Sequence, residues 1–130
     1  MIIREATYTD SSGIKECVAS TVYYHDVDPG AMGGRWIVAC PDDAPDLVVG
    51  CVWLMVEPPN AYLDFLAVSP KYQNFLGVPL LGFTQKWLAE HGVRYMRAAI
   101  QSSNFRAIRL GLAFRAKLDA GYALLYWQGD

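Results

Sequence analysis

One aspartate interrupts the apolar run AYLDFLAV (61–68), and a loop with a single glycine, SPKYQNFLGVP (69–79), follows at once. Alternation along a strand puts Tyr62, Asp64, Leu66 and Val68 on one face. A carboxylate there can act as a general base if burial raises its pKa; otherwise it is an acid open to solvent or paired with an arginine. The loop also reads two ways. Bare backbone N–H groups at a helix start hold phosphates, and glycines let the backbone come close to them. Gly77 stands alone where such loops usually carry two or three glycines, so a plain strand-to-helix turn is the alternative. His25 lies in an acidic loop and His91 at a helix end, where loop and capping roles suit them. Cys17, Cys40 and Cys51 have neither metal-like spacing nor a Cys/His/Asp arrangement. They are expected to be reduced, mostly buried thiols of a cytosolic protein, with no metal bound.

The elements that must position these residues follow from periodicity and turn chemistry. Residues 2–7 read as a strand. Asp10 or Ser11 caps a helix reaching about Tyr24, with Ile14, Val18 and Val22 on one face. HDVDPGAMGG (25–34) reads as a loop. RWIVAC (35–40) and DLVVGCVWLMV (46–56) form a hairpin around PDDAP, and PPN turns the chain into 61–68. Pro79 suits the first turn of a helix with Leu80, Phe83, Trp87 and Leu88 on its apolar face, ended by His91-Gly92. VRYMRAAI (93–100) is a strand, and a helix then runs from Ser102 or Ser103 to about Asp119. Gly121 stops it, and YALLYW (122–127) is the last strand. The order β-α-β-β-β-α-β-α-β predicts an α/β fold with a mixed, largely antiparallel sheet flanked by helices.

Apolar residues make up 53% of the 130 and charged ones 18%, as expected for one compact domain over 1–130. No apolar run spans a membrane and no leader is evident, so a cytoplasmic location is expected. Residues 1–70 hold ten acidic side chains against three basic, and residues 71–130 eight basic against three acidic. That asymmetry is either a matter of solvated faces or a mark of partners. The pI of about 5.6 argues against a general nucleic-acid footprint.

Val68, Pro70, Tyr72 and Gln73 lead into the glycine-bearing loop, and Asn104 and Ala107 open the next helix. The last strand is rich in aromatics. With the element order, these features resemble the GNAT superfamily of acyl-CoA-dependent N-acetyltransferases, most strongly over residues 61–110. The resemblance implies acetyl-CoA as co-substrate and transfer of its acetyl group to an amine by direct attack. It implies main-chain contacts to pantetheine from Leu66, Ala67 and Val68, one of them donating N–H to the thioester carbonyl. Gln73, Asn74, Phe75, Leu76, Gly77 and Val78 would surround the pyrophosphate, where the helix dipole favours anions. Asn104 would bond pantetheine or simply cap its helix, and Asp64 becomes the candidate base for the amine's proton.

The chain also departs from the family pattern. The two family glycines fall on Leu76 and Val78, or one residue is inserted so that Gly77-Val78-Pro79 replaces the usual sequence. Where the family often places a thiolate-protonating tyrosine, seven residues after the asparagine, this chain has Gly111. Tyr122 and Tyr126 are the remaining candidates for that acid. One strand after Gly121, instead of a hairpin, implies a C-terminally truncated sheet. Its bare edge would draw a homodimer or partner protein onto 122–127 by strand addition or face packing, unless this strand is internal among the neighbours of 93–100 and leaves no edge to cover. These losses also support an alternative, a catalytically inactive domain acting through protein contact. As an enzyme, the chain is expected to take a cationic small-molecule or protein amine. Asp26, Asp28, Asp42, Asp43 and Asp46 would line the acceptor end.

Overall fold

The computed structural model describes residues 1–21, 27–99, 109, 117–119 and 124–128, with the strands beyond residue 99 described by backbone alone. Strands β1 (Ile2–Glu5), β2 (Arg35–Cys40), β3 (Gly50–Glu57) and β4 (Asn60–Val68) are successive antiparallel neighbours. Strand β5 (Tyr95–Ala99) joins β4 in parallel, and β6 (Lys117–Asp119) and β7 (Leu124–Gln128) complete the order β1-β2-β3-β4-β5-β7-β6. Helix α1 (Ser11–Ala19) covers one face, and α3 (Gly77–Glu90) covers the other as the crossover between the parallel strands β4 and β5. A short α2 (Pro29–Met32) sits between α1 and β2. The α/β class and the mixed, mostly antiparallel sheet are those expected.

Alternation sorts the core into two layers. Ile37, Val52, Leu54, Leu63 and Met96 meet Leu80, Trp87 and Leu88 of α3. Trp36, Val38, Cys51 and Ala67 meet Ile14, Cys17 and Val18 of α1. All three cysteines are free and buried. Helix α3 ends at His91 and Gly92, whose φ of +79° is the left-handed geometry that favours glycine at a helix stop. No helix among the described residues is long and apolar enough to cross a membrane.

Four local expectations change. Residues 117–119, assigned to a helix, form β6, because pairing with Leu124–Tyr126 outweighs a weak helical propensity. The terminal hairpin is therefore present. Strand β7 is bonded by β5 on one side and β6 on the other, so 124–128 is not the bare edge that strand addition requires. Within the supposed loop 25–34, Pro29 at the first position nucleates α2. Lastly, α1 ends at Ala19, earlier than expected. Most of the expected helix 102–119, including Asn104, lies outside the described residues, as do Asp26 and Tyr122; Arg109 is helical.

Asp10, only 6% exposed, ties β1 to the start of α1. Arg4 donates to both its oxygens, at 2.7 and 2.9 Å, and the Thr7 N–H at 2.8 Å. The Arg4 hydrogen bond holds the Asp10 pKa below the usual carboxylate value against the opposing effect of burial. A depressed carboxylate stabilises the fold above its unfolded pKa, about 3.9, and that contribution disappears as pH falls through the lower folded value. Asp10→Ala should cost about 2–4 kcal/mol at neutral pH, since it strands Arg4 and an N–H. Denaturant melts of both forms check this, and the gap should narrow towards pH 2.

Candidate active site

The register between β3 and β4 slips by one residue at the aspartate. Trp53 faces Phe65 and Leu54 faces Leu63, so Asp64 is the extra residue of a β-bulge. The slip reverses alternation beyond it. Ala61 and Leu63 lie on the α3 face before the bulge, and Leu66 and Val68 lie on that same face after it. The expectation that Tyr62 and Asp64 share a face with Leu66 and Val68 is therefore half right: Asp64 stays with Tyr62, on the side of Trp53 and Met55.

The bulge coincides with a parting of strands. Among the described residues, pairing of β4 with β5 runs from Asn60–Tyr95 to Leu63–Ala98, while β4 continues to Val68 bonded to β3. The Ser69 N–H donates to the Val49 carbonyl at 2.9 Å. Alternation then turns the Ala67 backbone towards β3, opposite Cys51, and leaves Leu66 and Val68 facing the gap. Of the three residues expected to offer main-chain contacts, Ala67 is engaged with β3, while the Leu66 and Val68 backbones face away from it with no main-chain partner among the described residues. The Val68 carbonyl accepts from Gln73 Nε2 at 3.3 Å, so the Gln73 side chain braces the loop and is not held out to a ligand.

Beyond β4 a turn of 3-10 helix (Pro70–Tyr72) carries the chain into α3. The Phe75 and Leu76 N–H groups return to the Tyr72 carbonyl. The first bond of the α3 ladder runs from the Leu80 N–H to the Leu76 carbonyl, so the Gly77 and Val78 N–H groups precede it and point out of the helix start. Pro79 has no N–H to offer. Leu76, in a family glycine position, does not fill this opening: it is 1% exposed and packed in the core. Gly50 makes room for it, because a β-carbon there would stand 2.9 Å from Leu76 Cδ2. Val78 and Phe75 project outward, 57% and 60% exposed. The N-terminal end of α3 and the β4–β5 gap are therefore contiguous, as a nucleotide-bearing thioester requires, and both offer mainly main-chain groups.

Asp64 stands where the gap begins. Its side chain is exposed, yet partial desolvation raises its pKa above the usual carboxylate value. Around it on the same face lie Trp53, Met55 and Tyr62. The Trp53 ring stacks on Trp36 at 5.9 Å and donates Nε1–H to the Gly33 carbonyl at 2.9 Å. Alternation along 46–56 was the signal that could have placed Trp53 and Met55 beside Asp64. Tyr126 of β7 lies opposite Arg97 of β5, and Arg97 opposite Tyr62, which puts Tyr126 two strands from Tyr62 in one cross-strand row. The acidic residues separate. Asp42, Asp43 and Asp46 belong to the β2–β3 connection, at the end of the sheet where β4 gives way to the loop. Only Asp28, before α2, lies at the opposite end among the described residues. Among the described residues no group of three His, Cys, Asp or Glu side chains could hold a metal ion.

The sequence profile of the acetyltransferase (GNAT) family matches residues 5–111. No protein of curated function matches in sequence. Among solved structures, the ribosomal-protein-S18-alanine N-acetyltransferase of Escherichia coli superposes with a TM-score of 0.81 at 17% identity, covering 98% of this chain and 92% of that one. An acetyltransferase from Salmonella typhimurium, solved with its cofactor acetyl-CoA, gives 0.78 at 20% identity over 100% and 94% of the two chains. A phosphinothricin acetyltransferase from Sinorhizobium meliloti, in complex with acetyl-CoA, gives 0.77 at 17% identity over 98% and 87%. At such identities these likenesses speak for the fold, while the profile match spans most of the sequence. The chain belongs to the acetyltransferase (GNAT) family.

Proposed function

We propose that this protein transfers the acetyl group of acetyl-CoA to an amine, which attacks the thioester directly with Asp64 accepting its proton, the C–S bond breaking and CoA leaving as its thiolate. The observation that carries this reading is the coincidence, at one point of β4, of the bulged Asp64 with the start of the β4–β5 gap. Acetyl-CoA supplies an acyl group already activated as a thioester. The Leu66 and Val68 N–H groups stand at the gap to donate to the carbonyl oxygen as negative charge grows on it. The Gly77 and Val78 N–H groups and the α3 dipole meet the pyrophosphate. An amine arriving as ammonium finds the Asp64 carboxylate, and a raised pKa makes that carboxylate the better base.

Two grounds for the inactive alternative weaken: Leu76 packs into the core, clear of the opening, and a strand before β7 pairs with it. The electrostatic case for a cationic acceptor now rests on Asp64 and Asp28, since the β2–β3 acids lie at the other end. Thermal denaturation with acetyl-CoA is the direct test. A ligand at a hundredfold its Kd stabilises the fold by about 2.7 kcal/mol, which raises Tm by several degrees. Absence of any shift at millimolar acetyl-CoA would overturn the proposal.

A further inference from the structure

Just below the bulge, on the Asp64 side of the sheet, three residues on adjacent strands stand directly opposite one another: Met55, Tyr62 and Arg97. Their neighbours in sequence, Leu54, Leu63, Met96 and Ala98, are buried under α3, so this row occupies the other face. It is open. Met55 is 41% and Tyr62 49% exposed, and Arg97 is exposed as well. Among the described residues Arg97 has no carboxylate partner. Nor does it stand where the phosphates belong, because the start of α3 follows the far end of β4, beyond Val68.

We propose that Arg97 is the anion-binding residue of the acceptor site, and that the acceptor is an amine carrying a carboxylate beside it, an α-amino acid with an apolar side chain. This rests on the acetyl-transfer reading above. Asp64 lies one strand across and two residues along from Arg97, a diagonal of about 8 Å between backbone positions. The two opposite charges form no ion pair in this structure. A compact zwitterion satisfies both at once, its ammonium at Asp64 and its carboxylate on the guanidinium fork, which matches a planar carboxylate in two parallel hydrogen bonds. Tyr62, directly across from Arg97 and two residues before Asp64, and Met55 beside it offer an apolar floor for the side chain. A bare cationic amine would leave Arg97 as an unmatched like charge near its path.

Three acceptors of one shape test this: L-phenylalanine, L-phenylalaninamide and phenethylamine, each assayed for CoA release and N-acetyl product. The wild type should favour phenylalanine over its amide in kcat/KM by about tenfold or more, most of it in KM, the scale of one charge-assisted bidentate contact. That preference opposes intrinsic reactivity, because the amide holds more of its amine unprotonated at neutral pH. Arg97→Gln should collapse the ratio towards one, Arg97→Lys should restore part of it, and Arg97→Glu should invert it. A structural role alone would lower all three acceptors together. Equal use of acid and amide by the wild type, or a ratio unmoved by Arg97→Glu in a variant of unchanged Tm, overturns the proposal while leaving acetyl transfer standing. If no amine of any kind is acetylated, the acetyl-transfer reading itself falls, and this one with it.

Discussion

Asp64→Asn should lower kcat by about 10²- to 10⁴-fold, the usual worth of a positioned general base, with little change in acetyl-CoA affinity. The amide keeps the size and polarity of the carboxylate but cannot take a proton. Its position favours a clean result, because a bulged residue with an exposed side chain contributes little to the core. The pH profile should separate a base from a mere binding group. Partial desolvation disfavours the charged form of Asp64, so kcat/KM of the wild type should climb with pH through a value raised from the ordinary one for an aspartate. The variant should lack that limb and retain only the one set by the amine's own deprotonation. An Asp64→Asn enzyme with wild-type kcat and an unaltered acid limb would remove Asp64 from the mechanism.

Gly77→Glu should weaken acetyl-CoA binding by about 10²- to 10³-fold without unfolding the protein. Two like charges about 4 Å apart near a protein surface repel by about 4 kcal/mol, and the new carboxylate would stand where the pyrophosphate approaches the Gly77 and Val78 N–H groups. The same substitution should leave the fold as stable or slightly more so. An acidic side chain in the first turn of a helix gains about 0.3–1 kcal/mol from the dipole, and replacing glycine adds to that. Opposite signs on affinity and stability mark a ligand site, since a merely damaged turn would lose both. Calorimetric titration with acetyl-CoA, beside a thermal melt of the free protein, measures the two. Undiminished affinity would mean that the loop is only a turn.

How legible these features were in the sequence depends on the range of the forces behind them. The start and end of α3 were written locally: a proline fits the first turn, and a glycine takes the left-handed stop after His91. The core strands were equally plain, because each buries one or both faces and so must carry runs of Val, Ile, Leu and Trp. Strand β6 could not be read that way. Lys117-Leu118-Asp119 has no strand preference of its own and is held extended by hydrogen bonds to β7. The error over the terminal edge followed from that one segment.

The sequence by itself determined the order of most elements, the α/β class, the lone acid in β4 and the glycine-bearing loop after it, all of which depend on residues near one another in the chain. Tertiary structure decided what those residues face. The bulge exists only relative to β3, since one strand alone has no register to slip, and it sends Asp64 to the side opposite Leu66 and Val68. Leu76 falls where the family carries a glycine, and only the tertiary structure shows that Gly50, 26 positions earlier, leaves room for its side chain in the core. Arg97 carried no signal in its own segment. It acquires one from lying opposite Tyr62, through a parallel pairing of β4 and β5 that hydrogen bonds between distant strands create and no local preference encodes.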